Sequence, residues 1–479
     1  MKLVSRLVIA FAICLIAIPA LTIPAQADEP TVWLSDSWGY VGDKIRVYGE
    51  GLSDYYGTVW VYYEINNNWK MVDKDYVSSG GSLETDYFFI PESAKGEHEI
   101  RVCDDDDEDV WFIRTEFTVK PMLEITKPDD AEGPVGTEVT IKGTGFDYKE
   151  KHIEVRYYLD GSDYMTVKSG ITADKHGTWT ATFKIPASSK GNHKIDAEGD
   201  DSSFSEVKNA TFEVKPGISL SKSSSYVGDK VTVKGSGFRD EESSIKITYD
   251  GTQVGSSTTA DDDGSWEISF EVPPSTTGKH EIDAYGRYTS ATTISNKYFT
   301  VKPKVALTPI EGHVGTSLSV SGTGFAGSKH VTITYDGMQQ VTTTTNSKGS
   351  FSTVSFKAPK SIHGNHSVVI TDASGNSVSV NFVMESNPPT KPTLSSPANG
   401  ARMGFISSQI PTFTWSAVSD TSGVSYKLQI ASDLSFVSLM IPEISGLTET
   451  SYTLPEGQAL PYGTYYWRVK AVDGAQNDS

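Results

Sequence analysis

Val227-Gly228-Asp229-Lys230-Val231-Thr232-Val233-Lys234-Gly235-Ser236-Gly237-Phe238 is the stretch from which the fold is read. Near-copies run from Val135-Gly136 to Gly143-Thr144-Gly145-Phe146 and from Val314-Gly315 to Gly322-Thr323-Gly324-Phe325. A weaker copy runs from Val41-Gly42 to Gly49-Glu50-Gly51-Leu52. In all four the first glycine precedes the G-x-G by seven residues, with alternating apolar residues between. Glycine at both ends supplies turn conformations, and period-two alternation gives a strand with one buried face. The chain reads as an array of one β-unit.

Each unit can be followed strand by strand. After the G-x-G come Val59/Val61/Tyr63, Ile153/Val155/Tyr157, Ile245/Ile247/Tyr249 and Val331/Ile333/Tyr335 as inward alternate positions. Asp160-Gly161, Asp250-Gly251 and Asp336-Gly337 are two-residue hairpin signals. The first unit lacks one. A later strand ends at Pro91, Pro186, Pro273 or Pro359, because proline cannot donate to a ladder. Five residues past each proline is a glycine, and two further on a histidine: His98, His193, His280 and His366. About seven short strands per unit, with no sustained helical period, predict an all-β tandem array of immunoglobulin-like sandwiches. The joints at Lys120-Pro121, Lys215-Pro216 and Lys302-Pro303 are short and proline-bearing, which predicts an elongated, semi-stiff array. At about 3.3 Å per strand residue, five units end to end would span on the order of 150 Å.

The predicted boundaries are a signal peptide over 1–27 and repeats over 28–120, 121–216, 217–303 and 304–385, then a proline-rich linker and fifth domain over 386–479. Lys2 and Arg6, the apolar run Leu7–Ala20 and Ala25-Gln26-Ala27 form a secretory signal. Pro19 and Pro24 interrupt a run already short for a membrane span. Removing the signal takes two positive charges from the formal charge of −20, giving −20 − 2 = −22. Such acidity disfavours nucleic acid and anionic membranes as partners. Cys103 is the only cysteine after residue 27, so no intrachain disulfide is available to the mature chain. By strand parity Cys103 points outward, where it would be inert or pair between chains.

The Gly-x-Gly-Phe ending, the Pro-x4-Gly-x-His step and the closing Phe-x-Val together resemble IPT/TIG or related bacterial immunoglobulin-like surface repeats over about residues 30–385. Trp415 and Gly463–Ala471 resemble a fibronectin type III domain, whose last strand is missing at Ser479. The resemblance implies sandwich folds, and repeats that occur in adhesins, wall proteins and accessory modules of polysaccharide enzymes. An unpaired edge at Ser479 leads to the expectation that the natural chain continues toward a membrane or wall anchor.

The histidines share a strand face with core residues and stand one to a domain, which predicts structural hydrogen bonding rather than a metal site. Asp104, Asp105, Asp106, Asp107 and Asp109 could supply hard oxygen ligands, as could Asp261-Asp262-Asp263. Calcium is therefore the one ion the sequence raises, set against solvated turn charge; no other cofactor is indicated. There is no G-x-S-x-G elbow, H-E-x-x-H or phosphate loop, so the chain reads as non-enzymatic.

The sharpest anomaly lies in the first unit. Trp33 aligns with Glu124, Ser219 and Ala306; Trp60 with Glu154, Lys246 and Thr332; Tyr62 with Arg156, Thr248 and Thr334. Tyr87 aligns with Thr182, Ser269 and Ser355, and Phe89 with Lys184, Glu271 and Lys357. Five outward positions converted to rings suggest a surface for an extracellular glycan or protein. Burial of that face within the chain or an oligomer, or a different register in repeat 1, would equally account for them. The leading reading is an exported, non-enzymatic surface protein with repeat 1 as its binding tip. A self-assembling envelope component and the accessory region of a polysaccharide-degrading enzyme are the alternatives.

Overall fold

The computed structural model describes residues 29–55, 57–104, 111–403 and 410–479. The signal segment and Asp105–Asp109 lie outside the described residues. The chain divides into two compact units, Met1–Ala187 with Gly191–Val214, and Ser188–Lys190 with Lys215–Ser479. Both are built of immunoglobulin-like β-sandwiches. Among the described residues the regular structure is strand, apart from three short 3-10 turns, and no helix is long and apolar enough to cross a membrane.

Repeat 1 sets the pattern. Its strands are β1 Thr31–Leu34, β2 Trp38–Gly39, β3 Lys44–Ile45, β4 Val47–Glu50, β5 Gly57–Ile65, β6 Asn68–Val77, β7 Leu83–Glu84, β8 Phe88–Phe89, β9 Gly96–Cys103 and β10 Trp111–Val119. One sheet has the order β1-β4-β7, the other β2-β10-β9-β5-β6, and β3 pairs with β8. Only the β2–β10 edge pairing is parallel, because the first strand crosses from one sheet to the other at its end. Repeats 2, 3 and 4 each repeat a three-stranded and a five-stranded sheet in the corresponding order.

The G-x-G ending of the second long strand has two separate causes. The second glycine (Gly145, Gly237, Gly324) has φ of 66–71°, a left-handed conformation that favours glycine. The first lies beneath a ring from the facing strand: a Cβ at Gly143 would meet Trp179 at 2.2 Å, at Gly235 Trp266 at 2.0 Å, and at Gly322 Phe351 at 2.3 Å. The aromatic that follows the motif, Phe146, Phe238 or Phe325, is fully buried. Phe146 and Phe238 meet their tryptophans edge to face at 5.3 and 5.2 Å. Repeat 1 does the same with aliphatic groups, Leu52 and Leu83 flanking Gly49.

A second core element joins the two sequence motifs. Tyr63, Tyr157, Tyr249 and Tyr335 stack on His98, His193, His280 and His366 with centroids 5.0–5.2 Å apart. The Tyr63, Tyr249 and Tyr335 hydroxyls meet Ser93, Ser275 and Ser361 at 2.8–3.0 Å. Burial raises the Tyr249 hydroxyl to about 12 and the Tyr335 hydroxyl in the same direction, each against its serine bond.

The hairpins hold one correction. Repeat 2 turns on Gly161-Ser162, not Asp160-Gly161, because Asp160 itself pairs with Asp163. In repeats 3 and 4 Asp250 and Asp336 are the turn residues, and their carboxylates also take the Nδ1 of His280 and His366 at 2.7 and 2.6 Å. Repeat 1 turns on Asn66-Asn67, both at positive φ, a pair that replaces Asp-Gly.

Within each unit the segment after the strand-ending proline also contacts the next domain. Lys95 N–H donates to Phe146 O at 2.8 Å, Thr277 N–H to Phe325 O at 3.1 Å, and His363 N–H to Ala475 O at 2.7 Å. The fifth domain packs Trp415 and Tyr426 in its core between two three-stranded sheets. Its final residues turn so that Asp478 pairs with Val472.

The glycine–ring contact is testable. Gly235→Ala should destabilise repeat 3 by about 1–3 kcal/mol through overpacking. Trp266→Phe, which installs the residue type of Phe351, should cost less. Hydrogen exchange over Lys230–Ser236 separates this repeat from the others, and unchanged protection in Gly235→Ala would contradict the packing account.

Candidate binding face

The cross-strand registers decide which residues of repeat 1 correspond to which in its sisters. Trp33 pairs with Tyr48, where Glu124 pairs with Lys142, Ser219 with Lys234 and Ala306 with Ser321. Lys44 pairs with Phe89, where Glu138 pairs with Lys184, Lys230 with Glu271 and Ser317 with Lys357. Between these rows Thr140 faces Thr182, Thr232 faces Ser269 and Ser319 faces Ser355; repeat 1 has Arg46 there, its guanidinium 3.9 Å from the centroid of the Tyr87 ring. The register explanation holds in part: Lys44 pairs with Phe89 but Tyr48 with Glu84, a shift of one residue that repeats 2 and 3 lack, while the Trp33–Tyr48 and Lys44–Phe89 rows do match rows of different chemistry in the sister repeats.

The five predicted rings do not form one face. Trp33, Tyr87 and Phe89 lie on the outside of the small sheet and are 43%, 56% and 60% exposed. Trp60 and Tyr62 lie on β5, in the opposite sheet. Tyr62 is only 6% exposed, so the expectation that it faces solvent is corrected. Trp60 is half-buried beneath Lys74, whose ammonium is 4.7 Å from the ring centroid. That sheet is broad and covers its outward positions with neighbours. Arg101 lies 3.8 Å over Trp69 and bonds Glu99, which also holds Arg114. Cys103, expected to point outward, is buried, with Trp60 opposite it on β5.

The small sheet gives a flatter, open surface with two members that strand parity alone did not single out, Tyr48 and Arg46. Trp33 stacks on Tyr48 at 5.9 Å and 20°. The Arg46 guanidinium sits 3.9 Å over Tyr87 and 6.0 Å from Tyr48, and is paired with Glu84. Lys44 Nζ lies 5.1 Å from the Phe89 centroid. Residues two apart along a strand are about 6.6–6.8 Å apart, so three successive rows each carry at least one ring. Cation–π contact holds the exposed rings in place before any ligand arrives.

The histidines and the acidic residues lie in other settings. The four histidines are buried and each bonds a main-chain or carboxylate acceptor through Nδ1. Asp261 accepts the Ser265 N–H in a turn that Asp174 and Asn346 build in the sister repeats. An amide serves there as well as a carboxylate, so the turn itself does not require the charge. Asp104 follows β9, exposed, and its companions lie outside the described residues. Glu385, Asp420 and Asp473 bring ligand oxygens within 4.8 Å of one another. Asp473 there accepts both the N–H and the side-chain amide of Asn477, and Glu385 accepts Ser422 Oγ and Asn387 N–H.

Comparison with known proteins gives a family match within the third repeat. Residues 216–300 match the IPT/TIG domain. The IPT/TIG match spans the third repeat. No curated protein matches the chain. Among solved structures, a tetra-tandem repeat from the extending region of a large adhesion protein is 14% identical, with 75% of this chain and 99% of that one covered and a TM-score of 0.20. A Bacteroides ovatus mixed-linkage glucan utilization locus protein, SGBP-B, in complex with a mixed-linkage heptasaccharide, is 14% identical over 73% and 97%, with a TM-score of 0.23. Escherichia coli α-2-macroglobulin is 12% identical over 94% of this chain and 52% of its own, with a TM-score of 0.17, so this chain spans about half its length. Values this low carry nothing those proteins bind over to this chain.

Glu150 and Glu242 are buried carboxylates that tie loops together. Glu242 accepts the Tyr288, Thr289 and Arg239 N–H groups and the Thr289 hydroxyl. Burial raises its carboxyl, but these bonds outweigh that and hold it below the ordinary carboxylate range. A depressed folded value means the stabilisation is present above the unfolded value of about 4.3 and is lost as pH falls through the folded one. Repeat 3 should therefore weaken below about pH 4. Glu242→Gln should cost about 1.5–3 kcal/mol at pH 7 and flatten that acid dependence, read by denaturant melts from pH 7 to 3. An acid slope that persists unchanged in Glu242→Gln would assign it elsewhere.

Proposed function

We propose that this chain is an exported, non-enzymatic surface protein whose first repeat binds an extracellular polysaccharide through the outer face of β1, β4 and β8. Trp33, Tyr48, Tyr87 and Phe89 supply the ring faces, and the later repeats serve as spacers. One observation carries the reading: the rows that hold only charged, hydroxyl or small residues in three sister repeats each hold at least one ring in the first. A sandwich loses nothing by keeping those positions polar, and clustered exposed aromatics mark interaction surfaces. Trp60 and Tyr62 have no part in this face. The sequence has no motif of nucleophilic or metal-assisted hydrolysis, which supports binding rather than turnover.

A protein partner, or a second copy of the chain, is the competing occupant, since Trp, Tyr and Arg also dominate protein hot spots. A glycan array probed with the wild-type chain and with Trp33→Ala/Tyr87→Ala is expected to show polysaccharide binding that the double variant loses by tenfold or more. Equal binding by both proteins would reject the face. Absence of glycan binding together with concentration-dependent self-association of the wild type would favour the second copy.

A further inference from the structure

The broad sheet of repeat 2 brings an amine, a carboxylate and a side-chain amide together, away from the binding face. The geometry points to a self-formed amide cross-link between Lys194 and Asn209, with Asp196 carrying the protons.

Lys194 and Asp196 stand two residues apart on the strand Gly191–Glu198, so their side chains leave the same face of the sheet. The neighbouring strand Ala210–Val214 pairs Ala210 with Ile195 and Thr211 with Lys194, which sets Asn209 opposite Asp196 and diagonal to Lys194. Diagonal neighbours on a sheet face are about 7–8 Å apart, within reach of a long side chain. Asp196 has no exposed surface, and its two oxygens are divided between the other groups. Lys194 Nζ lies 2.9 Å from Oδ2. The Asn209 amide nitrogen lies 3.1 Å from Oδ1, which also accepts the Ala197 N–H at 2.9 Å. The Tyr158 ring, 4.2 Å from Nζ, holds the lysine from its other side.

The sister repeats break this set. Repeat 3 keeps Asp283 and Asn296 but has Glu281 where Lys194 stands, and Asn296 Nδ2 donates to Glu281 Oε1 at 2.9 Å. Repeat 4 has Ser367, Val369 and Ser379 at the three positions, and repeat 1 has Glu99, Arg101 and Arg114. An outward row of a sandwich is satisfied by any of these. Repeat 2 instead places a nucleophile and a carboxamide on one fully buried carboxylate.

Burial lowers the Lys194 ammonium, but the Asp196 bond and Tyr158 outweigh it and hold it above the ordinary range, so the resting pair is ionic. Passing one proton from Nζ to Asp196 along that bond gives a neutral amine beside a neutral acid, with no exchange with solvent. When the Asn209 amide turns over, its oxygen takes the place of its nitrogen and accepts from that acid, which polarises Cγ. The Nζ lone pair then forms a bond to Cγ, and the carbonyl pair moves to the oxygen, which takes the proton from Asp196. On collapse the carbonyl re-forms, the Cγ–Nδ2 bond breaks, and ammonium leaves. Two protons pass from Nζ to the departing nitrogen, Asp196 ends as it began, and nothing is oxidised or reduced. Fixing amine and amide on one carboxylate supplies the proximity that makes an inert amide reactive.

Tandem mass spectrometry of a tryptic digest of the full chain reads the link directly. The expected product is peptide 191–208, uncut after Lys194, joined to 209–215 and lighter than the two together by one ammonia. Lys194→Arg, which keeps the cation, and Asn209→Ser, which installs the residue type of Ser379, should each abolish the joined peptide. Asp196→Asn should lower the linked fraction at least tenfold while both reacting residues remain, with circular dichroism melts verifying folding. Should that variant fail to fold, Asp196→Glu takes its place, and its displaced acid should also lower the linked fraction. Wild-type chain that yields the two peptides separately, or Asn209 recovered as aspartate, overturns the cross-link. A linked fraction equal to wild type in the folded Asp196 variant overturns the role of Asp196.

Discussion

Where the first glycine of each G-x-G lies, a large side chain from the facing strand covers the backbone so closely that no Cβ fits. Trp179 on Gly143, Trp266 on Gly235 and Phe351 on Gly322 each pin the second long strand to its neighbour and fill the end of the core. Register follows from this contact. A one-residue slip would bring a side chain under the ring and turn the whole apolar set outward. Repeat 1 meets the same constraint with Leu52 and Leu83, and its strands pair in the same order.

A fixed register leaves the outward positions of the small sheet without a packing role. In repeats 2, 3 and 4 they carry charged, hydroxyl or small residues, the ordinary solution for a solvated face. Repeat 1 fills them with Trp33, Tyr48, Tyr87 and Phe89, interleaved with Arg46 and Lys44. Function, on this account, occupies the positions that folding leaves open, and the same four-fold repetition that builds the array supplies the internal control.

Most of the fold is legible in the sequence because it depends on short-range rules. Glycine spacing, period-two alternation and strand-ending prolines give the strands, and the G-x-His parity places the histidines in the core. The Trp179 and Trp266 contacts are less legible, since nothing local tells a ring on one strand which glycine on another it will cover. The hairpin at Asp160 is misplaced by one residue because Asp160-Gly161-Ser162 contains two plausible turn pairs. The binding face is half legible. Alternation gives outward parity for Trp33, Tyr87 and Phe89, but outward does not mean exposed: Tyr62 and Cys103 share that parity on the broad sheet and are covered by neighbouring side chains. Tyr48 and Arg46 were open to the same argument, and the sister residues Lys142, Lys234, Thr140 and Thr232 are the signal that finds them.

The most direct measurement is hydroxyl-radical footprinting of the full chain with and without a polysaccharide selected on the glycan array, read ring by ring. The account predicts fast labelling of Trp33, Tyr87 and Phe89 and slow labelling of Tyr62, Trp179 and Trp266, with the polymer slowing only the first three. Labelling of Tyr62 as fast as Tyr87, or a polymer that leaves Trp33, Tyr87 and Phe89 unprotected while binding the chain, would contradict it.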